Sequence, residues 1–184
     1  MRKPRLPRRE FIKSVTVAAG ASTLFPACSR APARWRILTE SEGETVGAIS
    51  EQIIPTDEDP GAIYAGVPNF IDRQLVGPYK RYQRAYREGL AGVDEASRAM
   101  YGARSAALKW EDQTEVLKAM ESGKVKGPAW QSQSAAAFFS LIRDHSMQGY
   151  YGSPRHGGNR DYLSYRMMKL DYPQIIGQNR YRKA

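Results

Sequence analysis

The chain has 184 residues, 41% of them hydrophobic, which is enough for one domain with a buried core and terminal segments outside it. Its net charge is +9, but residues 1–33 hold seven Lys or Arg and one Glu, which leaves +3 for residues 34–184, and we therefore predict no nucleic-acid partner. A single cysteine and the lack of a CxxCH motif exclude an intramolecular disulfide, a multi-cysteine metal site and attachment of c-type haem.

The first 33 residues have the pattern of an export signal. A pair of arginines, a phenylalanine and a lysine precede the uncharged stretch 14–25, and together they resemble a twin-arginine signal. The marker residues are Arg8, Arg9, Phe11 and Lys13. Pro7 stands where this pattern usually has Ser or Thr. The uncharged stretch is too short to span a bilayer core of about 30 Å, so we expect a leader and not a mature membrane helix.

Two processing sites are compatible with this leader. Ala31-Pro32-Ala33 is an A-x-A site, and cleavage there would give a soluble chain from Arg34. Phe25 to Cys28 loosely resembles a lipobox, in which Cys28 would become a lipid-anchored N-terminus. We favour the first site and therefore divide the chain into a leader, 1–33, and a domain, 34–184. Because twin-arginine transport carries folded proteins, the domain either folds around a cofactor or leaves the cytoplasm with a partner.

The domain begins with helical patterns. Thr39 and Glu42 form a capping box, apolar residues follow at helical spacing, and Pro55 ends this first helix. A second, short helix begins at Pro68. The stretch from Tyr79 to Met100 has tyrosines and aliphatic residues at intervals of three and four, typical of the inward face of a long helix.

Two further helices are predicted over Trp110 to Ser122 and over part of Ser132 to Gly149. No segment alternates with period two long enough for a strand. The fold class is therefore all-α, with about five helices, a long glycine-rich C-terminal loop and a cleavable leader.

The loop from Arg143 to Tyr172 carries both histidines and is the candidate site. A metal site or a stand-alone enzyme could use His145, His156 and Asp161, although no G-x-S-x-G nucleophile motif and no familiar metal-ligand spacing is present. A structural role is also open, with His145 capping helix carbonyls and the glycines supplying turns. The third hypothesis is a protein interface. Its predicted partner-binding residues are Arg143, Asp144, His145, Tyr150, Arg155, His156, Gly157, Gly158, Asn159 and Asp161.

Two segments resemble the small third subunit of membrane-bound gluconate 2-dehydrogenase and related sugar dehydrogenases. The first comprises Ile53-Ile54-Pro55-Thr56-Asp57, Asp59-Pro60-Gly61-Ala62 and Ala65 to Asp72. The second comprises Phe139 to Gly149 and Tyr151 to Asn159. The resemblance covers most of the domain and ends near Tyr172, and the twin-arginine leader agrees with it.

The resemblance implies an accessory subunit without a catalytic residue or cofactor of its own. In such complexes a flavoprotein of the glucose–methanol–choline oxidoreductase type holds FAD and oxidises the sugar or polyol. A cytochrome c subunit, where there is one, passes electrons to the quinone pool. The small subunit supplies the signal for the twin-arginine translocase, so that the flavoprotein is exported with it. We therefore expect a periplasmic protein associated with the membrane through its complex, or else anchored by a lipid on Cys28.

Overall fold

The computed structural model describes residues 34–170, and within this range there are helices and loops but no β-strand. The α-helices are α1 Glu40–Ile53, α2 Val67–Val76, α3 Gln83–Tyr101, α4 Trp110–Glu121, α5 Ala135–Tyr151 and α6 Leu163–Met167. Five of these have ten or more residues, so the predicted all-α domain is confirmed. None of the helices between residues 34 and 170 has the length and apolarity needed to cross a membrane. The predicted export and lipidation residues lie outside the described range.

The predicted capping box begins α1. The backbone N–H of Glu42 donates to Thr39 Oγ1 at 3.2 Å, and the backbone N–H of Thr39 donates to Glu42 Oε2 at 2.7 Å. These two bonds satisfy donors that the first turn of a helix otherwise leaves without partners. The helix ends at Ile53, two residues before Pro55, as predicted.

The five longer helices surround one hydrophobic core. Each contributes at least one side chain with no exposed surface, and representative members are Val46, Ile71, Val93, Val116 and Ile142. Between α3 and α5 the rings of Tyr86 and Phe138 meet edge to face, with centroids 5.6 Å apart. Such pairs are more favourable than their buried area alone would suggest.

The tyrosine stripe faces inward, but its C-terminal end does not. Tyr86 is buried, and Tyr79 and Tyr82 pack against the core from a short 3₁₀ turn, Lys80–Tyr82, that precedes α3. Met100 was predicted to belong to the same face, and 43% of its side chain is exposed. Met100 lies in the last turn of α3, which ends at Tyr101, and the neighbouring Tyr101 is exposed as well.

The fifth helix is longer at its C-terminus than predicted. We expected Arg143 to His145 near its end and a loop from there onward, but α5 continues to Tyr151. Gly149, which predicts a helix end, lies within the helix and packs against the Phe70 ring, where a Cβ atom would come within 2.9 Å of that ring. The absence of a side chain at Gly149 thus serves the close approach of α2 and not a turn.

Asp72 joins the segment before α1 to α2. Its fully buried carboxylate accepts hydrogen bonds from the backbone N–H groups of Arg36, Ile37 and Leu38, at 2.8, 2.9 and 3.1 Å. The Arg36 guanidinium adds an ion pair at 3.4 Å. Three backbone donors therefore depend on one side chain that local sequence patterns do not single out.

We expect Asp72→Ala to destabilise the domain by about 2–4 kcal/mol, because three backbone donors would lose their acceptor. The free energy of unfolding, measured by urea denaturation, checks this. Asp144→Ala is the matched control, since Asp144 is exposed and its ion pair with Arg143 lies at the surface. Its effect should stay within about 0.5 kcal/mol. Equal losses in the two variants would contradict the role given to Asp72.

Candidate functional site

Three hydrogen bonds attach the C-terminal loop to α2 and to the segment just before it. Asn69 Nδ2 donates to the carbonyl oxygen of Gly157 at 2.6 Å, and the backbone N–H of Arg160 donates to the carbonyl oxygen of Ala65 at 3.0 Å. A longer bond, 3.4 Å, runs from Gln74 Nε2 to the carbonyl oxygen of His156. Residues 65–74 and 156–160, which are far apart in the chain, thus form one junction.

Gly158 allows this loop to approach the end of α5. A Cβ atom at Gly158 would come within 2.1 Å of the Gly149 carbonyl oxygen, a distance that no side chain can tolerate. The contact is backbone against backbone, so only glycine fits without moving the loop.

Asn159 holds the turn that follows. It has a left-handed backbone conformation (φ 44°), which Asn adopts more readily than most residues. Its Nδ2 donates to the carbonyl oxygen of Gly152 at 2.8 Å, and its Oδ1 accepts from the N–H of Ser164 at 2.9 Å. With both ends of the amide bonded and no exposed surface, Asn159 acts inside the domain.

The ten predicted partner-binding residues divide by exposure. The exposed ones are Arg143, Asp144, Arg155 and Asp161; the half-buried ones are His156 and Gly157; the buried ones are His145, Tyr150, Gly158 and Asn159. In this conformation the four buried residues contact the rest of the domain. Arg143 and Asp144 lie on α5 and pair with each other at 3.1 Å. Partner binding by the ten residues stays a prediction.

His145 belongs to an aromatic stack inside the domain and does not cap helix carbonyls. Its ring lies parallel to that of Tyr79, with centroids 4.0 Å apart. It is also parallel to the ring of Tyr86 in α3, with centroids 5.8 Å apart. Tyr86 Oη and His145 Nδ1 are hydrogen-bonded at 2.9 Å. Burial lowers the pKa of His145 to about 4, against an opposing effect of the Asp144 charge. The imidazole is therefore neutral at physiological pH.

Tyr150 ties the end of α5 to two neighbours. Its Oη donates to the carbonyl oxygen of Pro60 at 2.8 Å and lies 3.2 Å from Met167 Sδ in α6. Burial raises the pKa of Tyr150 to about 12, and nearby carboxylates such as Asp59 add to this. The phenol thus stays protonated and serves as a structural donor.

Beside the junction lies a surface groove of about 880 Å³ that local sequence patterns did not reveal. Its apolar lining includes Trp35, Ala48, Ile63, Pro68 and Trp110, and its charged lining consists of Arg34, Glu44, Glu51, Arg104 and Arg160. Ile63 and Trp110 are 56% and 45% exposed, although large apolar side chains usually avoid water. The sequence signal that was available is the presence of Trp35 and Trp110, but only the fold shows that both line one groove.

The metal-site hypothesis finds no ligand set in the described part of the chain. Between residues 34 and 170, no group of three or more His, Cys, Asp or Glu side chains is placed to hold a metal ion. Of the three residues in that hypothesis, His145 is committed to its aromatic stack, and His156 Nε2 lies 3.0 Å from Arg155 Nε.

The fold and the site thus define a small helical domain whose notable feature is a surface: a groove beside a tightly bonded loop junction. The family model for gluconate 2-dehydrogenase subunit 3 matches residues 40–171, and the chain belongs to that family. It is accordingly an accessory subunit of a multi-subunit dehydrogenase complex. No curated protein and no solved structure matches the chain.

Below pH 6.5 we expect the domain to lose stability because of His145. In the unfolded chain His145 has an ordinary pKa near 6.5 and binds a proton below that pH. In the folded chain it binds this proton only near pH 4. Above pH 6.5 both states are neutral and the effect vanishes. The loss should approach about 1–2 kcal/mol at pH 5, measured as the free energy of unfolding against pH.

The decisive comparison is with His145→Gln, which keeps a polar group beside Tyr86 but does not titrate. Its free energy of unfolding should change less between pH 7 and pH 5 than that of the unmodified chain. His156→Gln serves as the control, because His156 is only partly buried and should contribute less. An unchanged pH dependence in His145→Gln would show that the stacked imidazole is not the group responsible.

Proposed function

We propose that this chain is the non-catalytic small subunit of a periplasmic, membrane-associated, FAD-dependent dehydrogenase of the gluconate 2-dehydrogenase type. In this role it binds the flavoprotein subunit and carries it, already folded, through the twin-arginine export route. Family membership supports the accessory role. The proposal adds three points to this role: a flavoprotein partner, the twin-arginine export route and a periplasmic location.

The observation that carries the proposal is that the two segments resembling the family meet at one surface. Asn69 and Ala65 come from the first segment, and Gly157 comes from the second, which Arg160 directly follows. Nothing in a local sequence pattern requires segments about 90 residues apart to meet. Their convergence beside an exposed apolar groove is what a docking surface for a larger partner requires.

The buried polar residues support the same assignment. His145 is stacked and neutral, Asn159 is bonded at both ends of its amide, and Asp72 holds three backbone donors. Each of these groups is explained by the stability of the domain. In the proposed complex the oxidation of a sugar or polyol takes place on FAD in the partner subunit. Haem c belongs to a third, cytochrome subunit in complexes that have one, and this chain holds no cofactor.

The leader supplies the export part of the proposal. Arg8 and Arg9 stand in the arrangement that resembles a twin-arginine signal, and this route transports folded proteins. A flavoprotein that folds around FAD in the cytoplasm and lacks its own signal would need such an escort. Processing after Ala33 gives a subunit held at the membrane by its complex, whereas processing before Cys28 would give a lipid anchor.

Replacing both Arg8 and Arg9 by Lys should keep the flavoprotein in the cytoplasm, because the change removes the paired guanidinium groups but preserves the charge. The two proteins are co-expressed, and flavoprotein and FAD content are measured in periplasmic and cytoplasmic fractions.

Arg2→Lys with Arg5→Lys is the matched control, since it makes the same chemical change elsewhere in the leader. The control should export normally. Full periplasmic delivery of the flavoprotein by the Arg8→Lys, Arg9→Lys chain would refute the escort role.

A further inference from the structure

A set of arginines without acidic partners borders the loop junction. We call it the cationic rim; it consists of Arg73, Arg155 and Arg160, all of them exposed. None of the three is in an ion pair with a carboxylate among residues 34–170. Of the other nine arginines of this range, five are in such pairs, and Arg34, Arg81, Arg87 and Arg166 are not. The rim differs from these four because its three members lie around one loop.

The three side chains lie around the same short loop. The Arg73 Cδ atom would be 3.3 Å from a Cβ atom at Gly157, and Arg155 Nε lies 3.0 Å from His156 Nε2. Burial lowers the pKa of His156, and the positive charges of Arg155 and Arg73 lower it further. Arg160 follows the loop and lies over the Tyr64 ring, 5.7 Å from its centroid.

The acidic groups near the rim lie on the side of Arg160. Asp161 follows it in the chain, and the exposed carboxylates of residues 57–59 line a cavity together with it. Asp72, the carboxylate next to Arg73 in the chain, is buried under its three backbone donors. The positive field of the rim is therefore centred on Arg73 and Arg155, with the charge of Arg160 offset by its acidic neighbours.

The rim and the groove are continuous. Arg160 lines the groove and belongs to the rim, and Asn69 lines the groove while its amide holds Gly157 in the loop. The exposed side chains of Ile63 and Trp110 line the same groove as Arg160. Arginine and large aromatic or aliphatic side chains around a concavity are the composition of energetically dominant contacts between proteins.

We propose that the groove and the cationic rim together bind an acidic segment of the flavoprotein subunit that carries an apolar anchor. The anchor side chain enters the groove between Ile63 and Trp110, and the carboxylates of the segment pair with Arg73, Arg155 and Arg160. This inference rests on the proposed function, since it names the surface through which that partner is held. A flat anionic membrane would engage the rim alone and leave the groove unfilled, which is why a protein segment fits better.

The test uses the complex of the full chain with the flavoprotein, purified by a tag on the flavoprotein. We expect the complex of the double variant Arg73→Glu, Arg155→Glu to dissociate more readily on dilution than the unmodified complex. Its dissociation constant, measured by mass photometry, should be at least about tenfold higher. Raising salt from about 50 mM to about 500 mM should weaken the unmodified complex and change the variant much less. Ile63→Asp, which places a charge in the groove, should also weaken the complex.

Lys124→Glu with Lys126→Glu is the matched control, because it also reverses two exposed positive charges but in the loop after α4. It should leave the dissociation constant unchanged. Circular dichroism of every variant must show the unmodified helical signal, since Arg73 and Arg155 have no ion pair whose loss could unfold the domain.

The remaining outcomes separate the two proposals. If the unmodified chain does not bind the flavoprotein, the proposed function and this surface both fail. If it binds, and the arginine double variant and Ile63→Asp bind as well as the unmodified chain, only the surface is overturned. If the arginine variant keeps flavoprotein binding but loses co-sedimentation with phosphatidylglycerol vesicles, the rim is a membrane contact and the protein partner is overturned.

Discussion

The architecture of this domain depends on one contact, the packing of the C-terminal loop against the start of α2 and the end of α5. The loop is held there by backbone groups: the Gly157 carbonyl accepts from Asn69, and the Arg160 N–H donates to Ala65. Gly158 brings its backbone against Gly149, where a single methyl group would prevent the approach. Because the loop contributes main-chain atoms to these contacts, the side chains of Arg155 and Arg160 remain exposed. The surface that we propose as functional is a consequence of that arrangement.

Several buried polar side chains stabilise the domain, although their residue types in the sequence suggest a catalytic role. A histidine beside an aspartate suggests catalysis, yet His145 is stacked on Tyr79, hydrogen-bonded to Tyr86 and kept neutral by burial. Asp72 organises three backbone donors of the preceding segment. Such groups are costly to bury unless every partner is supplied, and here the partners come from distant parts of the chain. The accessory role explains why the conspicuous polar groups need no substrate.

Local patterns predicted much of the fold, because helix starts and stops are local events. The capping box at Thr39 and the helix beginning at Trp110 were predicted correctly. The loop was predicted to begin too early, since Gly149 stops an isolated helix but here serves a contact with α2. The candidate site was only partly predictable: its residues were named, but burial depends on contacts between α2, α5 and the loop. The groove could not be predicted at all, because Trp35 and Trp110 come to line one surface only after folding.

The central claim is that the surface around the loop junction is where the flavoprotein binds. Hydrogen–deuterium exchange of the full chain, alone and in the purified complex, tests it most directly. If the flavoprotein binds there, residues 61–69 and 153–160, which flank the groove and the cationic rim, will exchange more slowly in the complex. Protection confined to other elements, for example the outer face of α4, with these two segments unchanged, would contradict it.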